Sequence, residues 1–292
     1  MRSLLFVPGD SERKLTKALG SGADVIIADL EDSVAAANKA AARDVATDFI
    51  NDLIRRPKRR IYVRINDLRS GLARDDLAAV LSARPDGIML PKCNSGADVT
   101  ELAAMLRVAE AEQGIDDGAT RIIALITETA AGTLAAGSYG DPHPRLSGLS
   151  WGAEDLSAAI GASAARDSEG RYTDVFRFAR AITILAASAA GVTAIDTVFV
   201  DFRDGAGLLR ECLEAARDGF TAKLAIHPDQ VPVINEAFTP SADAVEEARA
   251  IVKAFADAGD PGVVGLDGKM YDRPHLRRAE RLLARAAITG IG

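Results

Sequence analysis

The chain has 292 residues, of which 48% are hydrophobic and 26% are charged, and its formal net charge is −7 at pH 7. This balance is typical of a folded globular protein and excludes a disordered chain. The negative charge makes nucleic acid and anionic membrane surfaces poor partners, and no apolar run approaches the ~20 residues of a membrane span.

The cysteines and the N-terminus indicate the compartment. Cys93 and Cys212 lie far apart in the sequence and form no metal-ligand spacing, which is typical of a protein in a reducing compartment. The first apolar stretch is interrupted by Pro8 and Gly9, too early for the hydrophobic region of a signal peptide. We therefore expect a cytoplasmic protein with no membrane partner.

Short β-rich runs alternate with longer helical segments along most of the chain. The predicted strands cover residues 2–8, 25–31, 60–66, 87–92, 121–128, 148–154, 196–201 and 222–228. The helix-length segments between them include 36–55, 73–84, 97–113 and 174–190. Apolar strands separated by helices are what a parallel sheet buried on both faces requires. Eight such units over about 240 residues predict a (β/α)8 TIM barrel, which usually has ~250 residues.

An open, doubly wound sheet is the alternative fold, but no glycine fingerprint of the GxGxxG type follows any strand. The barrel is therefore favoured, and we assign it to residues 1–237. Residues 238–292 are predicted to form a helical extension without a strand, with a helix at 241–258, a glycine-rich loop at 258–272 and a helix at 275–287. We expect this extension either to cap the barrel or to cross to a neighbouring subunit.

Nearly every predicted strand ends in a charged or strongly polar residue. Because barrel active sites lie at the C-terminal ends of the strands, these side chains should meet at one mouth. The polar residues at the strand ends are Asp10, Asp29, Glu31, Asp32, Arg64, Asn66, Lys92, Glu128, Glu154, Asp155, Asp201 and His227.

Carboxylates dominate this predicted mouth. Crowded carboxylates either share protons or bind a cation. Histidine and cysteine are absent from most of these positions, so a hard, oxygen-preferring ion such as Mg²⁺ fits better than zinc. Arg64 would then bind a substrate carboxylate with its planar guanidinium group. A network of salt bridges at the barrel rim is the structural alternative.

Eight motifs in chain order also carry a family resemblance. They read RSLLFVPG, DLEDSV, YVRIN, GIMLPK, TETAAG, WGAEDLSAAIG, DTVFVDFRDGAGL and AIHPDQ. Together they resemble the citrate lyase β-subunit-like proteins of the HpcH/HpaI aldolase/citrate lyase superfamily, whose relatives include malyl-CoA and citramalyl-CoA lyases. The resemblance covers essentially the whole chain.

The resemblance implies a Mg²⁺-dependent carbon–carbon lyase on a TIM barrel, assembled as a homotrimer or a multiple of it. Such enzymes cleave, or in reverse form, a 3-hydroxyacyl-CoA of the citryl, malyl or citramalyl type. Acetyl-CoA and an α-keto acid are the products. The implied partners are therefore small molecules, with Mg²⁺ as cofactor and the CoA thioester as substrate.

The resemblance also assigns roles to single residues. Glu128 and Asp155 match the metal ligands, and Arg64 matches the residue that holds the keto-acid carboxylate. Besides Arg64, the positions implied to contact the substrate are Glu128, Gly152, Ala153, Glu154 and His227. For His227 a purely structural role is an equally good interpretation.

The candidate for the catalytic base lies in the C-terminal extension. In related proteins an acid on a neighbouring subunit's lid is the candidate, and the matching stretch KMYDRPHLRRA contains Asp272. Alternatively, Asp272 caps the last helix, which is predicted to begin near Pro274. Asp29 and Glu31 are assigned a supporting role in which they orient Arg64 or Lys92.

Two other activities remain open. A metal-dependent pyruvate aldolase acting on free hydroxy-keto acids would need a histidine near the second-strand acids, but Ser33 follows Asp32 and the first histidine is His143. A citrate lyase β subunit acting on an acyl-carrier-protein thioester within a complex is the second alternative.

Overall fold

The computed structural model describes residues 1–53 and 59–289. Eight parallel strands close into a barrel in which each strand pairs with the next and the eighth pairs with the first. The strands are β1 (Ser3–Pro8), β2 (Val25–Asp29), β3 (Arg60–Arg64), β4 (Gly87–Leu90), β5 (Arg121–Leu125), β6 (Leu146–Ser150), β7 (Thr193–Asp196) and β8 (Ala222–Ala225). The predicted (β/α)8 barrel is confirmed.

Helices connect the successive strands of the barrel. They are α1 (Glu12–Ala18), α2 (Lys39–Leu53), α3 (Ala73–Val80), α4 (Gly96–Glu112), α5 (Ala130–Leu134), α6 (Ala153–Ile160), α7 (Asp174–Ala190), α8 (Gly205–Asp218) and α9 (Gln230–Ala237). Of the predicted helical segment 36–55, residues 54 and 55 lie outside the described residues.

The barrel interior is filled by alternate residues of the strands, as the two-residue period of a β-strand requires. This apolar cluster consists of Leu4, Val25, Ile27, Tyr62, Met89, Ile123, Leu125, Ile195, Ala222 and Leu224. Two residues after Ile27 and Tyr62 along their strands come Asp29 and Arg64, which the strand period therefore also directs inward. The apolar cluster is thus the floor beneath a layer of charged residues.

Two predicted strands are displaced toward the C-terminus relative to the structure. The sixth, predicted at 148–154, is Leu146–Ser150, because Gly152 already caps helix α6. The seventh, predicted at 196–201, is Thr193–Asp196, and the apolar run that follows it leaves the sheet. Asp201 consequently does not end a strand and is exposed on a loop.

The chain divides into two compact units, and the second begins at Asn235. It contains α10 (Ala242–Asp257), β9 (Val263–Leu266), β10 (Lys269–Asp272) and α11 (Arg273–Thr289). Its core consists of Ala248, Ile251, Phe255, Val264, Tyr271, Leu276 and Ala279. The predicted role of residues 238–292 as a lid on a neighbouring subunit stays a prediction, and residues 290–292 lie outside the described residues.

The prediction that this extension contains no strand is wrong. β9 and β10 form an antiparallel hairpin in which Leu266 pairs with Lys269 across a two-residue turn. Both turn residues, Asp267 and Gly268, have positive φ, +50° and +74°. An Asp-Gly pair in this conformation is a strong hairpin signal, and it was hidden here within a glycine-rich stretch.

Within residues 1–53 and 59–289, no helix is both long enough and apolar enough to cross a membrane.

Candidate active site

A cavity of about 400 Å³ opens where the barrel strands end. Seven of the nine predicted site residues line it, namely Asp29, Arg64, Glu128, Gly152, Ala153, Glu154 and Asp155. The other lining residues are Phe6, Pro8, Asp32, Ser33, Leu125, Trp151, Thr197, Val198, Leu224 and Ile226. The cavity therefore has charged walls toward its acidic side and an apolar floor.

Arg64 is held by Asp29 in a bidentate pair. The two residues are partners in the β2–β3 register, and Nε and Nη2 of Arg64 each donate to a carboxylate oxygen of Asp29 over 2.7 Å. Asp29 also accepts the backbone N–H groups of Glu31 and Ser33. The face of the guanidinium lies 4.6 Å from the centroid of the Phe6 ring. The plane of Arg64 is therefore fixed before any ligand binds.

The charges of this pair follow from its geometry. Burial raises the pKa of Asp29, but the hydrogen bonds and charge of Arg64, together with the hydrogen bonds from Ser33 and Glu31, lower it more, so this pKa lies below its ordinary value. The guanidinium has five N–H groups, and Asp29 accepts two of them. Nη1 of Arg64 lies 3.0 Å from Oε2 of Glu31 without a hydrogen bond between them, and Arg64 lines the cavity, so N–H groups remain that can donate to a second carboxylate.

Glu31 and Lys92 form the second ion pair of the mouth. The ammonium group of Lys92 donates to Oε1 of Glu31 and to Oδ2 of Asp32, the latter over 3.0 Å, and lies 3.1 Å from Oδ1 of Asp155. Oε2 of Glu31 lies 3.0 Å from Nη1 of Arg64 but accepts no hydrogen bond, although it is buried. Burial raises the pKa of Glu31 above its ordinary value.

Glu128 lies just beyond β5 and is almost completely buried. Its Oε2 accepts the backbone N–H of Lys92 over 2.6 Å. Burial, together with the negative charge of Asp155, raises the pKa of Glu128 to about 8. A Cβ atom on Gly152 would lie 2.6 Å from Cγ of Glu128, so only glycine at position 152 leaves room for this carboxylate.

Asp155 is presented by the first turn of α6. Gly152 caps this helix without a side chain, so the N–H groups of the first turn have no capping acceptor. The positive end of the helix dipole points to the cavity lined by Gly152, Ala153 and Glu154. Asp155 itself is about one quarter exposed, with 28% of its side-chain surface accessible.

The remaining two predicted site residues, His227 and Asp272, have contacts of their own. The ring of His227 stacks on Phe202 at 4.7 Å between centroids, and His227 is not among the described residues that line the cavity. Asp272 belongs to the second compact unit and directly precedes α11, where its Oδ1 lies 2.5 Å from Nδ1 of His275. That hydrogen bond lowers the pKa of Asp272.

The acidic side of the cavity fits a divalent cation held by few protein ligands. Burial and the charge of the neighbouring Asp155 together raise the pKa of Glu128, so a second negative charge is unfavourable there without a cation. Nearby, the buried Oε2 of Glu31 lies against Nη1 of Arg64 but accepts no hydrogen bond. Within the described part of the chain, no group of three or more histidine, cysteine, aspartate or glutamate side chains has the geometry of a metal site. Mg²⁺ typically uses only one or two carboxylates plus water and substrate, so this donor set suits it.

A protein-family model described as HpcH/HpaI aldolase/citrate lyase matches residues 2–228. The chain belongs to this family. It is 35% identical over 294 residues to (3S)-malyl-CoA thioesterase of Cereibacter sphaeroides, covering 100% of this chain and 96% of that protein. It is 33% identical over 301 residues to mitochondrial citramalyl-CoA lyase of Homo sapiens, covering 98% and 85%.

One solved structure has the same fold as this chain over nearly the whole length of both. The crystal structure of CitE from Mycobacterium tuberculosis, in complex with magnesium, acetoacetate and coenzyme A, has a TM-score of 0.80 and 38% sequence identity, and the match covers 98% of both chains. The predicted family and the predicted enzyme class, a lyase, are confirmed. Magnesium and coenzyme A, predicted as cofactor and substrate carrier, are present in the CitE structure.

Three features of the site escaped the sequence reasoning. Phe6 supports Arg64, but an aromatic residue in an apolar strand gives no signal of such a role. Trp151 is both buried and a cavity wall, and its indole N–H donates to Asp196 over 2.8 Å. The backbone amide of Lys92 contacts Glu128, and a left-handed residue other than glycine cannot be recognised from the sequence.

Proposed function

We propose that this chain is a magnesium-dependent lyase that cleaves, or in reverse forms, the carbon–carbon bond of a 3-hydroxyacyl-CoA. The products of cleavage are acetyl-CoA and an α-keto acid. The observation that carries the proposal is the meeting of Glu128, Asp155 and Arg64 around one cavity, because this set can hold a divalent cation beside a substrate carboxylate. The activity of citramalyl-CoA lyase, a relative over most of the chain, supports it.

Glu128 and Asp155 are the residues that would hold Mg²⁺. When bound there, the ion supplies a Lewis acid that stabilises negative charge developing on the substrate's hydroxyl oxygen. Gly152 leaves the space that Glu128 occupies, and the N–H group of Lys92 fixes one oxygen of that carboxylate. One carboxylate oxygen of Glu128 is therefore held by the protein, and the other is left to bind the ion.

Arg64 would bind and orient the keto-acid carboxylate. Asp29 holds the Nε edge of the guanidinium, and Phe6 supports its face, so only the outer N–H groups remain for a ligand. The first-turn N–H groups of α6, at Ala153 and Glu154, offer further donors at the positive end of the helix dipole. Together these groups hold the carboxylate while the bond to the α-carbon of the thioester breaks.

Proton transfer is the part of the proposal that involves the second compact unit. We assign it to Asp272 of a neighbouring subunit, whose carboxylate is oriented by its hydrogen bond to His275. An Asp272→Asn variant should fold and bind Mg²⁺ like the wild type but lose at least about 100-fold in kcat. Steady-state kinetics and calorimetry on the same preparation would check this, and near-normal turnover would remove Asp272 from the mechanism.

Self-association and location belong to the same proposal. α7 exposes an apolar stripe of Val175, Phe178 and Leu185, each at least 50% accessible, which supports contact with other copies in a homotrimer. Light scattering coupled to size exclusion would measure the assembly. Cys93 and Cys212 are both free and buried, which supports the reducing environment of a cytoplasmic protein.

The activity is tested by incubating the purified chain and Mg²⁺ with malyl-CoA, citramalyl-CoA and citryl-CoA. We expect at least one thioester to release acetyl-CoA together with its α-keto acid, and mass spectrometry identifies both products. Free CoA accompanied by an intact hydroxy acid would instead show thioester hydrolysis, the activity named for the Cereibacter relative. No cleavage of any of the three would contradict the CoA-lyase proposal and favour a carrier-protein substrate.

A further inference from the structure

Lys92 adopts an unusual backbone conformation directly beside the proposed metal ligands. Its φ is +52°, a left-handed value that a residue with a Cβ atom adopts only at an energetic cost. In this conformation its N–H donates to Oε2 of Glu128, and the N–H of Cys93 donates to the backbone oxygen of Leu125. The segment after β4 is therefore attached to the end of β5, the strand that precedes Glu128.

The side chain of Lys92 contacts the other proposed ligand. Its ammonium group lies 3.1 Å from Oδ1 of Asp155, while it also donates to Glu31 and Asp32. A single residue thus contacts both proposed metal ligands, Glu128 with its backbone and Asp155 with its charge. The exposed fraction of the Lys92 side chain is 28%, so its ammonium group can move toward solvent without unfolding the barrel.

We propose that Lys92 is a positioning residue whose ammonium group neutralises Asp155 in the metal-free site and is displaced from it when a divalent cation binds. The inference rests on the proposed metal site at Glu128 and Asp155. An ammonium group and a divalent cation repel each other when both lie against one carboxylate oxygen. Glu31 and Asp32 provide the place to which the ammonium group can withdraw.

This exchange has a measurable consequence for metal affinity. Removing one positive charge at ~6 Å from a doubly charged ion should strengthen ion binding by about tenfold even at the dielectric constant of water. The negative charge of Glu31 and Asp32, no longer neutralised, acts in the same direction. A residue that merely supports the structure would show the opposite, because loss of order at Glu128 and Asp155 weakens metal binding.

The test is calorimetric titration of the whole chain with Mg²⁺, comparing the wild type with Lys92→Gln and Lys92→Gly. Glutamine keeps most of the length without the charge. Glycine adopts a φ of +52° without steric cost and keeps the N–H that contacts Glu128. We expect both variants to bind Mg²⁺ at least about tenfold more tightly than the wild type. Melting temperatures establish that each variant is folded.

Two further variants serve as controls. Lys92→Arg keeps the charge and should bind Mg²⁺ within about twofold of the wild type. Arg107→Gln removes a cation whose side chain is 70% exposed and which does not line the cavity, so it should leave the affinity unchanged. Unchanged or weaker Mg²⁺ binding in both uncharged Lys92 variants would overturn the exchange while leaving the lyase proposal intact. Failure of the wild type to bind Mg²⁺ would overturn the metal site itself, and this proposal with it.

Discussion

The barrel contains two clusters of charged residues that differ in how completely their charges are paired. The mouth cluster consists of Asp29, Glu31, Asp32, Arg64, Lys92, Glu128 and Asp155, that is, five carboxylates and two cations. The outer network consists of Arg166, Arg180, Asp196, Glu211, Asp218 and Lys223, with three charges of each sign. The first lies at the strand ends around the cavity, whereas the second lies outside the apolar barrel interior.

In the outer network, pairing is complete where burial is greatest. Lys223 is fully buried on β8, and its ammonium group donates to Asp196 over 2.7 Å and to Glu211 over 2.8 Å. Arg166 donates to the other oxygen of Glu211 over 2.6 Å. Each charge therefore has an opposite partner, as a buried ion pair requires for stability.

In the mouth cluster, negative charge is left over. The buried Oε2 of Glu31 accepts no hydrogen bond, and the pKa of Glu128 is raised to about 8 by burial and by Asp155. Acids with raised pKa values and incomplete hydrogen bonding cluster at functional sites, so this cluster is the one expected to bind a ligand. The comparison separates a cluster that stabilises the fold from one that is completed by a ligand.

The largest expected effect is on Glu128, because it belongs to the incomplete cluster. Glu128→Gln removes the charge with little change in shape and should abolish measurable Mg²⁺ binding and lower kcat by at least about 1,000-fold. Its melting temperature should not fall, since glutamine resembles the neutral form of Glu128 that burial and Asp155 already favour. Calorimetry, steady-state kinetics and thermal unfolding test the three statements. Retained Mg²⁺ binding would show that the ion binds elsewhere. Binding of a metal ion would then no longer distinguish the mouth cluster from the outer network.

The sequence was sufficient to predict the barrel and most of the mouth. Apolar strands alternating with helices specify a parallel sheet, and a polar residue after each apolar body marks the active end. This reasoning predicted that Asp29, Arg64 and Glu128 lie together, and all three line one cavity. It placed His227 there as well, because the end of a strand alone does not show whether a side chain faces inward or stacks on Phe202.

Partnerships between strands could not be predicted. Asp29 and Arg64 are 35 residues apart, and only the β2–β3 register makes them a bidentate pair. Likewise, Lys223 and Asp196 are neighbours only because β7 and β8 pair with Asp196 opposite Lys223. Register depends on the packing of the whole barrel, and a charged residue in isolation does not reveal whether its partner is another residue or a ligand.

The second prediction addresses the outer network. Lys223→Met removes the fully buried cation that Asp196 and Glu211 share and leaves them only the pairs with Arg180 and Arg166, so the free energy of unfolding should fall by about 3–5 kcal/mol. Mg²⁺ affinity of the folded fraction should remain within about threefold of the wild type, because Lys223 does not line the cavity. Urea denaturation and calorimetry provide the two measurements. As a control, Lys253→Met breaks an exposed pair with Asp257 and should cost at most about 1 kcal/mol. A loss of metal binding with little loss of stability would reverse the assigned roles.

A smaller effect is expected at Asp29, which is fully paired with Arg64 although it belongs to the mouth cluster. Asp29→Asn removes the charge that orients Arg64, and we expect KM for the hydroxyacyl-CoA to rise by about 10- to 100-fold. Mg²⁺ affinity should change less, because Asp29 is not a proposed ligand. Asp32→Asn is the matched control, since the side chain of Asp32 is 59% exposed and does not contact Arg64 through any hydrogen bond of the described residues. If both variants raise KM equally, general charge rather than the Asp29–Arg64 pair controls substrate binding.

The smallest expected effect is the release of a proton when Mg²⁺ binds to the mouth cluster. With a pKa of about 8, Glu128 is mostly protonated at pH 7, whereas metal binding requires its carboxylate. Mg²⁺ binding should therefore release about 0.9 proton at pH 7 and about 0.1 at pH 9, and the affinity should rise about tenfold per pH unit below pH 8 before levelling off. Calorimetry at pH 7 in PIPES and imidazole, whose ionisation enthalpies differ, measures the proton directly. Binding without proton release at pH 7 would mean that the mouth holds Glu128 ionised without a ligand. Its charges would then be as fully compensated as those of the outer network, and the ion would not be needed to complete them.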